Sequence, residues 1–322
     1  MRLALAFLAL SSPAFADVSA AIDRHILPRH AALATATQAL AAAAAADCTP
    51  AAVRPAYQAA YDAWISVGHI QFGPIEDQGL SLAMAFWPDP KDSTGKALAR
   101  LTTSADAIVD DPAAWGEVSA AAQGFTALER MLYDPQPEAV YACRLTRAIA
   151  AGLAQKSDAL ATAWPDFATL MRSAGEAGNG RFQSTAEAQR ALYTALSTGL
   201  EFLHDERLGR PLGTFDRPRP RRAEARRSAR ALRHISLSLA ALEELATVMY
   251  DGDLTETKSA FAAAKEAAAR IDDPALAGVA DPLQRIRVEA LQRSVRDIQN
   301  AVNTEIGKPL GITAGFNALD GD

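Results

Sequence analysis

Apolar residues recur at helical spacing along most of the chain, and no segment sustains the alternation of a strand. A first helix is predicted over 17–46, with Ile22, Ile26, Leu33 and Leu40 in phase and Pro28 marking a kink or a start. After Asp47-Cys48-Thr49-Pro50 a second helix runs to about residue 67, with Tyr57, Tyr61, Trp64 and Ile65 on one face, and Gly73-Pro74 ends that element. A short apolar run, 80–86, stops at Trp87-Pro88-Asp89-Pro90. Helices follow over 96–108, 115–133 and 138–171, the last kinked at Pro165. The Gly-rich stretch 173–184 reads as a linker. Beyond it, helices are predicted over 185–204, 221–250, 254–271 and 282–306, with an irregular loop at 208–220. The pattern predicts an all-α protein of two antiparallel helical bundles, 17–174 and 185–322. An echo between Phe72-Gly73-Pro74 and Leu208-Gly209-Arg210-Pro211 points to an internal duplication.

Composition agrees with the pattern. Of 322 residues, 49% are hydrophobic and 22% charged, an ordinary globular balance, and the abundant alanine favours helix. A net charge of −6 argues against a dedicated nucleic-acid binder. The N-terminus changes the picture more. Arg2 precedes a short apolar run, Ser11-Ser12-Pro13 breaks it, and Ala14-Phe15-Ala16 offers small residues for cleavage before Asp17. Residues 1–16 therefore read as a cleavable signal peptide, which predicts export to the periplasm or cell envelope, with no transmembrane segment in the mature chain.

In an exported chain the two cysteines, Cys48 and Cys143, are a disulfide candidate, and the alternative is two free thiols. No zinc-knuckle spacing, His-Glu-x-x-His motif or Ser–His–Asp constellation is present, which disfavours a zincin-type protease. Glu201 and His204 form one Glu-x-x-His pair, a metal-ligand candidate whose plainer reading is a helix-end salt bridge near Asp205. His69 and Glu76 flank the Gly73-Pro74 turn and are cleft candidates, against a plainer role as capping residues. His25 and His30 read as surface residues. The strongest charge feature is the arginine cluster from Arg207 to Arg233. Within it Arg222, Arg226 and Arg230 at i,i+4 spacing predict a helical stripe for an anion, a chelated metal or an acidic partner, or for ion pairs across the bundle interface.

Three segments carry a family resemblance. Gly124-Phe125-Thr126-Ala127-Leu128-Glu129, followed by Leu132 and Tyr133, resembles the GxHxxE signature of the imelysin family, with Thr126 where that family has His. The stretch 310–322 resembles the family's closing segment, and 227–233, with Arg227 and Arg230, its second-half helix. The resemblance implies an exported, all-helical protein of two similar bundles forming one imelysin-like domain, with a site near their interface. It also implies a filing with the M75 metallopeptidases and a link to bacterial iron uptake. His and Glu three apart share a helix face and can reach one metal. Threonine is a poor substitute for imidazole, which leaves Glu129 as the metal candidate of the motif. In the closing segment Phe316 is expected to anchor in an apolar slot, and Asp320 and Asp322 to pair with the arginines or ligate a hard cation. The expected function is non-catalytic binding of a metal ion (iron or another divalent metal), a metal complex or an envelope protein partner in metal acquisition. The alternatives are a metal-dependent peptidase and an envelope scaffold.

Overall fold

The computed structural model describes residues 17–312. The expected signal peptide and the expected roles of Phe316, Asp320 and Asp322 lie outside the described residues. Ten helices organise the rest. They are α1 (Leu27–Ala46), α2 (Pro50–Ile65), α3 (Leu80–Met84), α4 (Ser93–Ser104), α5 (Gly124–Tyr133), α6 (Ala139–Arg172), α7 (Thr185–Glu201), α8 (Ala231–Met249), α9 (Thr255–Ala269) and α10 (Pro282–Val302). No strand occurs among the described residues, and the all-α expectation stands. No described helix is long and apolar enough to cross a membrane.

The first half is built on α1, which packs along α6 and against α2. The Cys48–Cys143 disulfide, with Cα atoms 5.3 Å apart, ties the α1–α2 loop to the start of α6. Beside it, Arg147 donates from Nε to the Ala44 carbonyl at 3.1 Å and from Nη2 to the Ala45 carbonyl at 3.2 Å, satisfying acceptors at the end of α1. The second half rests on α9 against α10, with α7 and α8 beside them. The N-terminal turn Val18–Ala21 joins the halves by packing on α6, α7 and α8. Apolar side chains from Ile22 to Ile306 belong to one continuous buried core.

Pro28 interrupts neither element around it. The helix passes from Val18–Ala21 through a π-helical segment, Ile22–Ile26, into α1, and Pro28 lies directly after that segment, where the Leu27 N–H reaches back five residues to the Ile22 carbonyl and the ladder is already shifted. That segment turns His25 inward. His25 and His30 are 0% and 2% exposed, so the surface assignment for both is corrected.

Two predicted helices are shorter than their periodicity suggests. The helix expected over 115–133 is two 3-10 turns, Trp115–Glu117 and Ala120–Ala122, followed by α5. The break falls at Gly124, whose φ of +77° no helix interior accepts. The helix expected over 221–250 begins only at Ala231. Ala225 and Ala229 have φ of 48° and 54°, so Arg222, Arg226 and Arg230 do not form a helical stripe. The reason is tertiary. Glu224 is drawn into the core, and the Ser228 N–H donates to a side chain of α5 rather than to a carbonyl four residues back. In the opposite direction, α7 outruns its prediction and continues through a π segment, Phe202–Gly209, to Leu212.

Candidate functional site

Helix α5 is almost wholly buried, and its position is set at both ends. At its start, a β-carbon on Gly124 would stand 2.3 Å from the Met84 carbonyl oxygen and 2.5 Å from that of Ala83, so only glycine lets α5 approach the end of α3. At its far end, Arg54 of α2 donates to the Leu132 carbonyl, from Nε at 3.0 Å and Nη2 at 2.6 Å. Between these anchors Tyr61 stacks flat on Phe125, with centroids 4.7 Å apart and 5° between planes.

Thr126 and Glu129, three apart on α5, both face one cleft of about 410 Å³. Glu129 Oε1 accepts two hydrogen bonds from Ser228, from the backbone N–H at 2.9 Å and from Oγ at 2.7 Å. The Glu129 carboxylate is thereby fixed by a loop, and Oε2 makes no hydrogen bond to any described residue. Thr126 Oγ1 is buried beside Tyr61 without a well-formed hydrogen bond. Burial first, then the carboxylates of Glu224 and Glu129, push the Tyr61 hydroxyl well above its ordinary pKa, so it stays protonated.

Opposite Glu129 the cleft is strongly cationic. Six arginines (130, 210, 221, 222, 226 and 227) line it against three carboxylates, Asp89, Asp92 and Glu129. Several are neutralised. Arg130 pairs with Asp92, Arg210 with Glu206, and Arg227 Nε lies 2.7–2.8 Å from both Asp134 oxygens. Arg230 is held back by Asp62 and Gln58, so it braces the wall without lining the cleft. Arg221, Arg222 and Arg226 have no carboxylate partner among the described residues. Burial, then the like charges of Arg227 and Arg221, lower the pKa of Arg226.

Behind the loop lies a buried polar cluster. Glu224 accepts from Arg207 Nε at 2.7 Å and lies 3.1 Å from His234 Nδ1, while Arg207 Nη1 donates to Ser238 Oγ at 2.9 Å. Burial alone would raise the Glu224 pKa, but Arg207 and His234 outweigh it and hold the carboxyl at about 2. This cluster is the internal anchor of the 223–230 segment that carries Ser228 and Arg226.

The remaining candidates fall elsewhere. His69 does not share the cleft. It lies beyond the Trp87–Pro88 wall, in a second cavity of about 500 Å³. Glu76 is at the surface, where it accepts from the Gly73 N–H at 2.8 Å and pairs with Arg181 at 2.9 Å, because the turn at Gly73 folds it back on its own backbone. His204, at the end of α7, pairs with Asp205, and Arg296 Nη2 stands 3.4 Å from its Nε2, a cation where a metal would have to sit. Among the described residues no three His, Cys, Asp or Glu side chains converge on one point, at Glu201 and His204 or at Glu129. Sequence reasoning gave Tyr61 only a core role and Ser228 none. Glu224 and His234, ten apart across a non-helical loop, left no spacing signal at all.

Fold and site together define an all-helical protein, among the described residues, with an arginine-lined cleft beside a fixed glutamate. The imelysin (peptidase M75) family model matches residues 26–302, and the chain belongs to that family. Among solved structures, an imelysin-like protein from Psychrobacter arcticum 273-4 superposes with a TM-score of 0.76 at 19% identity, covering 94% of this chain and 99% of that one. A protein from Parabacteroides distasonis ATCC 8503, named "putative iron-regulated protein A precursor", gives a TM-score of 0.70 at 13% identity, covering 89% of this chain and 92% of that one. A comparison with curated proteins returns no match.

Proposed function

We propose that this is an exported, non-catalytic binding protein of the cell envelope that takes up a carboxylate-rich, anionic metal complex, iron foremost, in the Glu129 cleft. The observation that carries the reading is the set Arg221, Arg222 and Arg226, without a carboxylate partner among the described residues, facing a carboxylate already engaged by Ser228. A bare cation would meet one available carboxylate oxygen and several guanidinium groups, whereas a zinc hydrolase needs three protein ligands and an open position. Guanidinium forks bind carboxylates in pairs of parallel hydrogen bonds, and a chelated metal presents such carboxylates on its outside. The name of the Parabacteroides relative supports iron as the cargo.

Calorimetric titration with citrate, ferric citrate and free zinc or ferrous salts tests the reading. The anionic species should saturate one site, and Arg226→Ala should weaken them about 10- to 100-fold, the range of a lost charge-assisted contact. Saturable binding of a free cation, abolished by Glu129→Gln, with citrate inert, would overturn it in favour of a direct metal site.

A further inference from the structure

The second cavity has its own chemistry. Its walls are largely apolar and aromatic, with Trp64, Leu82, Trp87, Phe202 and Leu242 prominent, and its volume of about 500 Å³ lies within the range of small-molecule pockets. Its charged groups cancel, because Arg207 and Glu224 are paired with each other. Its polar lining includes an imidazole. His69 lines the cavity, its Nε2 lies 2.9 Å from His25 Nε2, and its Nδ1 makes no hydrogen bond to any described residue.

The protonation of that nitrogen follows from the chain of contacts behind it. The Arg29 Nε–H points at His25 Nδ1 at 3.1 Å, which makes Nδ1 the acceptor of that contact. Glu244 Oε1 also stands within hydrogen-bonding distance of Nδ1, at 3.1 Å. Its other oxygen accepts from Arg29 Nη2 at 2.7 Å. With Nδ1 accepting from Arg29, the His25 proton is assigned to Nε2 and donated to His69 Nε2, which leaves the His69 proton on Nδ1. Burial, then the charge of Arg29, holds His25 at a pKa of about 3, and burial holds His69 well below 6.5, so both rings are neutral.

We propose that this cavity is a second binding site, for uncharged aromatic molecules bearing a hydrogen-bond acceptor, with the His69 Nδ1–H as the donor. Three aromatic walls favour a flat ring system, and a cavity-lining N–H without a hydrogen bond to any described residue favours a ligand that supplies a carbonyl or ether oxygen. A charged ligand would find no counter-charge. The site does not depend on the anion cleft, from which the Trp87–Pro88 wall separates it.

The test uses prodan, a neutral naphthyl ketone whose emission rises and shifts to the blue in apolar surroundings, titrated into the protein. A saturable, blue-shifted response at one site per chain is expected. Removing the ketone, with 2-(dimethylamino)naphthalene as ligand, should weaken binding about 3- to 10-fold, the worth of one neutral hydrogen bond. Ala85→Phe, which fills the cavity from an extended backbone position, should weaken prodan at least about 10-fold. Ser81→Phe, from the neighbouring wall, replaces it if that variant fails to fold. Absence of a saturable response, or equal affinity in a well-folded filled variant, would overturn the site. Equal affinity for the ligand without its ketone would overturn the role of His69.

Discussion

His30 is held in the core at a cost that can be measured. Its ring is 2% exposed, packs against Trp164 at 5.2 Å between centroids, and finds no partner for either nitrogen. Burial lowers its pKa from 6.5 to about 3, so the folded protein refuses a proton that the unfolded chain accepts below 6.5. A depressed histidine pKa subtracts stability as pH falls from the unfolded value toward the folded one. At pH 7 the penalty is about 0.2 kcal/mol, and at pH 5, 1.5 units below 6.5, it reaches about 2 kcal/mol. His30→Leu keeps nearly the same volume, removes two unpaired polar atoms and cannot protonate, so it should stabilise at both pH values. Most of the gain should be at low pH, with the variant about 2 kcal/mol further ahead of the natural protein at pH 5 than at pH 7. Urea denaturation followed by far-UV circular dichroism at the two pH values reads the difference directly. A gain of equal size at both would refute the assigned burial of a neutral imidazole, and a loss at both would show that the ring nitrogens have partners after all.

Two further outcomes follow from the scaffold. Gly124→Ala forces a β-carbon to within 2.3 Å of a backbone carbonyl at a φ of +77°, and a left-handed alanine alone costs about 1–2 kcal/mol. The thermal midpoint should therefore fall by several degrees, with anion binding lost as α5 shifts, and an unchanged midpoint would sink the claim that Gly124 sets the α3–α5 approach. Opening the Cys48–Cys143 bridge, which spans 95 residues, by the double serine variant should cost about 4–5 kcal/mol on the chain-entropy argument. A shift in the urea midpoint equivalent to less than about 1 kcal/mol would show that α1–α6 packing and Arg147 hold the segment without it.

The sequence revealed the helices most clearly where a single apolar stripe faced one core. Helices α6 and α10 were legible nearly to their ends because side chains at 3.6-residue spacing decide such segments locally. The failures cluster where a partner far along the chain outweighs local preference. The 221–230 stretch has good helix formers at good spacing, yet Glu224 is claimed by Arg207 and His234, and Ser228 by Glu129, 99 residues away. His25 and His30 read as surface residues because, five apart, they do not share an α-helical face, and the π segment at His25 changes that phase so that both are buried. The glutamate of the signature was legible through the motif. Its ligand environment was not, because the arginines opposite come from a loop whose shape no periodicity encodes.

That loop explains how the cleft accommodates Thr126. A metal site built on a His–Glu pair needs the helix face to supply both ligands, and losing the imidazole removes half of it. An anion site draws its selectivity from the opposite wall, and here that wall is anchored independently of Thr126, through the Glu224–Arg207–His234 cluster and the Ser228–Glu129 hydrogen bonds. Glu129 then fixes the loop through Ser228, two residues from Arg226. Replacing Ser228 should for this reason damage anion binding as much as replacing an arginine that touches the ligand, since both alter the same guanidinium geometry.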